Sequence, residues 1–401
     1  MISVAEAEAT IRDHVPLLGD EAVPLADAAG RVLRESITSD RPFPPFDRVA
    51  MDGIAINSKD YENGTRRFPV ASIQAAGAPP HALTTPSQCV EVMTGAVLPD
   101  GTDCVIPVEK IKLTNDVAEL TDKETPAPFD NVHRKGSDRD VGSELLCAGA
   151  RLLGPQIAVA ATVGATTVRV SCQPRVAIIS TGSELVPVTA TPAPHQIRQS
   201  NVHAIETALH LAGHTRTTRH HIADDAAAIR DLISECLSAS DIIILSGGVS
   251  AGRYDFVPDV VTELGVSIHF HHVRQRPGKP LLFGSIAGQT SVFGLPGNPV
   301  SALVCLHRYI LPALATAQGC PIPSAKERAT AILDEDLTFK KPLTCFKPVR
   351  LIAGADGCRA VPVPMNGSGD LAGLAQSDGM LELPEKQTTF TKGSPYPIWR
   401  W

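Results

Sequence analysis

Aromatic side chains are scarce in this chain, at 4% of 401 positions. Surfaces that stack single-stranded bases need aromatics interleaved with clustered cations. Neither feature is present and the formal net charge is -7, which argues against a nucleic-acid partner. Paired cysteines are also lacking. The nine cysteines (Cys89, Cys104, Cys147, Cys172, Cys236, Cys305, Cys320, Cys345 and Cys358) include no C-x-x-C spacing. An odd, scattered set speaks against a disulfide framework and a zinc ribbon. It predicts a reduced, cytoplasmic protein whose thiols serve as small apolar residues. The opening MISVAEAEATIRDH has neither the basic nor the apolar region of a signal peptide. No run approaches 18 uncharged apolar residues, so no membrane span is expected.

What is present is an ordinary globular composition, 43% hydrophobic and 20% charged. The length suits two to four domains. Residues 3–15 read as a short amphipathic helix with Val4, Ala7, Ile11 and Val15 on one face. A second helical turn is expected over 25–32. The segment RPFPPFDRVAMDG, with Pro42, Pro44 and Pro45, reads as an extended connector. Residues 54–142 alternate short apolar runs with Gly, Pro, Asp and Asn, the texture of an all-β module. Helical spacing returns at 157–163, before a strand at 167–170.

From Pro174 to Gly319 the rhythm is strand, loop, helix, repeated. Strands are expected at 176–180, 241–245, 266–270, 281–283 and 291–293. Helices are expected at 201–211, 224–238, 256–264 and 298–317, the second capped by Asp224 or Asp225 and the last by Asn298 with Pro299 following. Such alternation predicts a mainly parallel sheet covered on both faces. Residues 325–401 return to short strands, predicting a small β-domain.

In open α/β sheets ligands bind at the carboxyl ends of the strands. Four loops expected there have unusual sequences: STGSEL (180–185), LSGGVSAGRYD (245–255), RPGKP (276–280) and GLPGNPVSA (294–302). Ser246, Gly247 and Gly248 offer bare backbone N–H groups as an anion nest. The last loop repeats the plan and adds the Ser301 hydroxyl, while Arg276 and Lys279 supply positive charge. Any one loop alone reads as a tight turn before a helix; four at one sheet edge read as a phosphate or oxyanion cradle. Glu184, Asp224 and Asp255 fall at the same edge. Each could be a helix cap, but jointly they suit a divalent cation bound with phosphate oxygens. Gly248–Gly252 also fits G-x-S-x-G around Ser250, yet the later histidines lie in a strand rather than on an obvious loop, so hydrolysis by Ser250 is the weakest reading. His269 and His271 share a strand face but lack an evident third metal ligand. Spacing alone does not bring Asp52, in AMDG, or Thr94, in MTGA, to these loops.

Several long motifs occur in a known order: PPFDRVAMDGIA, VMTGAVLPDGTDCVIPVE, PRVAIISTGSELV, IRQSN, DIIILSGGVSAGRYDF, RPGKP and VFGLPGNPVSALV. Across essentially its whole length the chain resembles the MoeA family of molybdopterin molybdenumtransferases, which includes the E domain of gephyrin. The resemblance implies a multidomain α/β plus β protein. A helical linker domain would come in two pieces (1–45 and 143–172), with an inserted β-rich domain (46–142), a molybdopterin-binding α/β domain (173–322) and a C-terminal β-domain (323–401). It implies an elongated homodimer whose cleft is shared between subunits. Molybdate would be inserted into adenylylated molybdopterin with Mg2+-dependent release of AMP.

In that reading Glu184, Asp224 and Asp255 organise Mg2+ and the adenylate phosphate. Thr181, Gly182, Asn201, Ser246, Gly247, Gly248, Ser250 and Gly252 hold the phosphorylated pterin, together with Pro296, Gly297, Asn298 and Pro299. Arg276, Lys279 and Ser301 receive molybdate, and Asp52 and Thr94 complete the cleft. The resemblance extends to Arg350 and Ser368 in the last domain, Arg350 standing in for a family arginine two residues after a Phe. A molybdopterin adenylyltransferase and apo-molybdoenzymes are the implied protein partners. The chain departs from the family at Val49 (usually Ser), Ile54 (Tyr), Ser183 (commonly Asp), Arg276 (Lys) and Pro348. These departures leave a molybdopterin-binding paralogue or scaffold as the alternative to an enzyme. A nucleotidyltransferase that makes the adenylate is a third reading, disfavoured by the extra β-domains.

Overall fold

The computed structural model describes residues 1–121, 125–249, 255–321, 327–355 and 357–401. The chain divides into two compact units, one of Met1–Glu35, Ala148–Gly154 and Thr167–Trp401, the other of Ser36–Cys147 and Pro155–Thr166.

The first unit is built on a six-stranded sheet in the order Thr217–Ile222, Val176–Thr181, Ile242–Ser246, Thr290–Leu295, Leu282–Ile286, Ser267–His271. The first four strands are parallel, and the last two join antiparallel. The sheet is thus parallel where it carries the loops and mixed at one side. Strand periodicity explains the layering. Val176, Ile178, Ile242, Ile244, Phe293 and Leu295 belong to one core; Ala177, Ile179, Ile243, Leu245 and Val292 belong to the other. A strand with apolar residues on both faces must be covered twice. Helices Ala226–Ala239 and Val257–Glu263 cover one face, and Asn201–Leu211, Pro299–Ala317 and Val4–His14 the other.

Local signals set several ends. Ser3 and Glu6 form a reciprocal capping box on the first helix. Asp225, not Asp224, caps the helix from Ala226, accepting from the Ala228 N–H. Only a 3-10 turn, Leu25–Asp27, forms where a longer helical stretch was expected, because Val32 and Leu33 form isolated bridges with Arg151 and Val170. The strand Thr217–Ile222 (TTRHHI) was not expected. It lies at the sheet edge, where a polar sequence is tolerated. Residues 267–271 form a strand, but its register shifts between Ile268 and Phe270. His269 then packs on His14 and bonds Ser285, while His271 bonds the Val249 carbonyl, so the two do not form a metal pair.

Pro299–Ala317 is long and apolar enough to cross a membrane by composition, yet 67% of it is buried inside the protein. It includes a π turn, Leu306–Ile310. All nine cysteines are free.

Beyond this sheet, Thr344–Gly354, Gly357–Pro362, Thr330–Leu333, Pro395–Arg400 and Gly379–Leu383 pair in succession, and the last returns to the first. The ring closes a small barrel around Leu333, Val349, Ala360, Leu381 and Phe390. The short strand Gln275–Arg276, from the α/β region, adds to Thr344–Gly354.

The second unit carries its own six-stranded sheet, in the order Cys104–Pro107, Gly53–Ile56, Cys89–Val92, Arg67–Gln74, Val117–Leu120, Ile111–Thr114. This is the expected β module, with one short helix, Ser58–Glu62. Gly53 is obligatory, since a Cβ there would lie 1.9 Å from the Ile106 carbonyl oxygen. Val49 and Ile54 are both 1% exposed and sit in its cores.

Candidate functional site

Parallel register brings three loops of the first unit together. Ser180 pairs with Ser246, and Ser246 with Leu295, so the segments that follow leave the sheet side by side. They line a cavity of about 710 Å³ that collects Thr181, Gly182, Glu184, Asn201, Asp224, Ser246, Gly247, Gly248, Asp255, Pro296, Gly297, Asn298 and Pro299. An adjoining cavity of about 360 Å³ collects Arg276, Lys279, Ser301 and Ser368, and shares Pro280, Pro296 and Asn298 with the first. Ser250 and Gly252 lie outside the described residues.

The loops approach so closely that side chains are excluded. Gly247 has φ +103°, and a Cβ there would lie 2.7 Å from both the carbonyl and the hydroxyl oxygen of Thr181. Asn201 ties two loops together, its amide donating to Ser246 Oγ at 2.8 Å and to the Gly297 carbonyl at 2.9 Å. Asn298 holds the N-cap position but its side chain caps nothing, contrary to expectation. Because its side chain is not used in capping, its amide is available at the junction of the two cavities.

Ser183, where the family commonly has Asp, is matched to Asp224. The Ser183 N–H donates to Asp224 Oδ2 at 3.1 Å, and the Asp224 N–H donates to Ser183 Oγ at 3.2 Å. Thr181 is 4% exposed, and its hydroxyl has no hydrogen-bond partner among the described residues. A buried polar group without a partner is costly unless a ligand supplies one. Thr181→Val is therefore expected to leave folding stability unchanged or slightly higher. It should weaken binding of any anion that the hydroxyl serves in this cavity by roughly 10-fold, the worth of one hydrogen bond to a charged group. Paired denaturation and binding isotherms check this.

Charge is divided between the cavities. Among the described residues, the larger carries Glu184, Asp224 and Asp255 with one cation, Arg198; the smaller carries Arg276, Lys279 and Lys347 and no carboxylate. The three carboxylates line one space, but among the described residues no three His, Cys, Asp or Glu side chains are grouped closely enough to hold a metal ion. The expected metal trio is thus not preassembled. Arg350 is not at the site. It is exposed on Thr344–Gly354 and lines neither cavity, whereas Lys347 lines the smaller one. Residues three apart on a strand face opposite ways, which is why Arg350 cannot take that place. Lys347 also donates to the Val363 carbonyl at 2.9 Å. Pro348 is buried, paired with Met380, and also lines the smaller cavity.

In the second unit Asp52 and Thr94 do meet. Pairing of Gly53 with Val92 sets the flanking residues side by side. Asp52 Oδ1 accepts from the Thr94 N–H at 2.6 Å and from its hydroxyl at 2.7 Å. The Thr94 hydroxyl, then the N–H, holds the exposed Asp52 carboxyl below the ordinary carboxylate range. A lowered carboxyl stays ionised to lower pH. Thr94→Val removes the larger cause, so Asp52 should titrate at higher pH, read by NMR. The acid limb of any activity that needs ionised Asp52 should move up with it; an unmoved titration contradicts the assignment.

The fold and site are those of an α/β protein whose sheet-edge loops line two adjoining cavities, one bearing carboxylates and one bearing cations. Three family models match the chain: the MoeA N-terminal region (domain I and II) over residues 2–164, a probable molybdopterin binding domain over 177–316, and the MoeA C-terminal region (domain IV) over 330–401. The chain is 40% identical to a Synechocystis protein named molybdopterin molybdenumtransferase, over 100% of both chains. A Nostoc protein of the same name is 33% identical, over 98% of this chain and 92% of its own. The crystal structure of a molybdopterin biosynthesis moeA protein from Pyrococcus horikoshii OT3 matches with a TM-score of 0.84 at 26% identity, over 100% of both chains. The chain belongs to the MoeA family.

Proposed function

We infer that this chain is a molybdopterin molybdenumtransferase, inserting molybdenum into molybdopterin in molybdenum cofactor biosynthesis. The observation that carries the reading is the division of charge between two adjoining cavities. A molybdate oxyanion needs cations and donors, which Arg276, Lys279, Lys347 and Ser301 supply. The adenylylated molybdopterin is longer and doubly functional. Its phosphates suit the glycine loops and the Thr181 hydroxyl of the larger cavity.

Mg2+ is the proposed cation. The donor set is all hard oxygen, and this ion is commonly held by one or two carboxylates completed by substrate phosphates and water. Glu184, Asp224 and Asp255 would hold it, which fits carboxylates that share a cavity without forming a closed cluster. When bound, it would neutralise charge on the phosphoanhydride. Release of AMP is a hydrolysis: water adds to the adenylyl phosphorus, the anhydride P–O bond breaks, and molybdopterin keeps its own phosphate. Ser183 positions Asp224 for this role through their reciprocal bonds.

The non-catalytic paralogue is the weaker reading. Of the departures that suggested it, Val49 and Ile54 are buried packing residues, Pro348 is buried at the wall of the smaller cavity, and Ser183 is engaged with Asp224. Asp52 and Thr94 belong to the same reaction in this proposal, and the working form is a cytoplasmic homodimer that receives adenylate from an adenylyltransferase and passes cofactor to apo-molybdoenzymes. The test is reconstitution: purified protein, adenylylated molybdopterin, Mg2+ and molybdate should activate an apo-molybdoenzyme. Binding of the adenylate with no activation at any molybdate concentration would leave the paralogue as the better account.

A further inference from the structure

Residues 276–280 carry two of the three cations of the smaller cavity, and three buried side chains hold this loop from beneath. Gln275 is 0% exposed. Its amide Nε2 donates to the Gly278 carbonyl at 3.0 Å, closing the loop on itself immediately before Lys279. Its Oε1 accepts from the Tyr309 hydroxyl, and Tyr309 is 2% exposed. Cys305 Sγ stands 3.5 Å from Gln275 Nε2 and 3.7 Å from the Gly278 carbonyl. Gly278 has φ +89°, and a Cβ there would lie 2.7 Å from both Cys305 Sγ and Gln275 Nε2. The packing leaves no slack.

The source of the clamp is the π turn. Leu306–Ile310 begins directly after Cys305 and carries Tyr309. A π turn adds a residue to the helical circuit, re-aims the side chains it carries and weakens the helix locally, so it persists where that direction is used. Here it points a buried hydroxyl at the amide that shapes the loop. The other side of the loop is tied to the barrel, where Arg276 pairs with Cys345.

We propose that Gln275 and Tyr309 are positioning residues for the oxyanion subsite: the π turn of the long helix, through the Tyr309 hydroxyl and the Gln275 amide, fixes the directions of Arg276 and Lys279 toward molybdate. This rests on the assignment of molybdate to the smaller cavity. Neither side chain touches the oxyanion; both act through the loop. Tyr309→Phe keeps the ring and its packing but leaves Gln275 Oε1 without its donor. Gln275→Met keeps the length and removes both bonds.

The experiment measures KM for molybdate, kcat at saturating molybdate and Kd for adenylylated molybdopterin. Equilibrium dialysis of molybdate alone runs in parallel. Both variants should raise the molybdate KM and its dialysis Kd by about tenfold, the equivalent of one charge-assisted hydrogen bond. The kcat should stay within about twofold, and adenylate affinity should be unchanged. Unchanged molybdate KM and Kd in both variants would overturn the proposal. So would parallel losses in kcat and adenylate affinity, which a merely structural role predicts. Should the wild type bind molybdate without turnover, the functional reading fails, and the dialysis arm still decides this one.

Discussion

Asp224→Ala and Asp255→Ala should each lower kcat for AMP release by ~10²-fold or more, the scale seen when charge stabilisation is removed from a phosphoryl or acyl transition state. Both carboxylates line the larger cavity, and neither belongs to a folding core. Asp224 does not cap the neighbouring helix; Asp225 does that. Its loss therefore removes the bond from the Ser183 N–H but leaves the backbone bond to Ser183 Oγ, and no helix cap is lost. Affinity for the adenylate should fall less than kcat, because the glycine loops remain. Raising Mg2+ should partly restore Asp224→Ala if the defect is weakened cation binding. A variant with full turnover at ordinary Mg2+ would remove that residue from the reaction.

The second large effect is on folding. Arg308 lies in the π turn with its side chain 1% exposed, and it bonds Glu8 and Glu382 at 2.8 Å each. Its guanidinium is 4.6 Å from the Trp399 ring centre, and Trp399 Nε1 donates to the same Glu382. One cation thus fastens the N-terminal helix, the long helix and the barrel. Arg308→Met should cost ~3–5 kcal/mol, as when one partner of a buried ion pair is removed and the others stay charged. Urea unfolding gives the measurement; a midpoint like that of the wild type would contradict it.

The same cluster predicts an acid limit. Burial alone would raise the Glu8 carboxyl, but the Arg308 charge and hydrogen bond, with Arg328, bring it below its usual value of 4.5. A lowered carboxyl contributes stability that is complete above that value and lost as pH falls through the lowered one. The wild type should therefore lose stability in acid more steeply than Arg308→Met.

Much of this architecture was legible in the chain because the sheet is buried on both faces. The run Ile242–Ser246 could be little else than a central strand, and Asn201–Leu211 had helical spacing closed by Gly213. The strand Thr217–Ile222 was not legible, since an edge strand of polar residues has no apolar signature. The four loops were found through glycine, proline and charge, and two cavities collect them. Lys347 was missed because strand parity, not residue type, decides which cation of that strand faces the cavity. Asn298 misled for the opposite reason: it has the residue type of a cap and the position of one, but its side chain makes no capping bond. The anchoring of the 276–280 loop could not have been read at all. Gln275 and Tyr309 are 34 positions apart, joined by a π turn that no periodicity announces.

The central claim is that the basic and acidic cavities act on one reaction. The direct test is AMP release from adenylylated molybdopterin by the purified protein, with Mg2+ present and molybdate varied from zero to saturation. The account predicts release that rises with molybdate, and that Lys279→Ala shifts this dependence to higher molybdate. AMP release that ignores molybdate, or none at saturation despite bound adenylate, would contradict it.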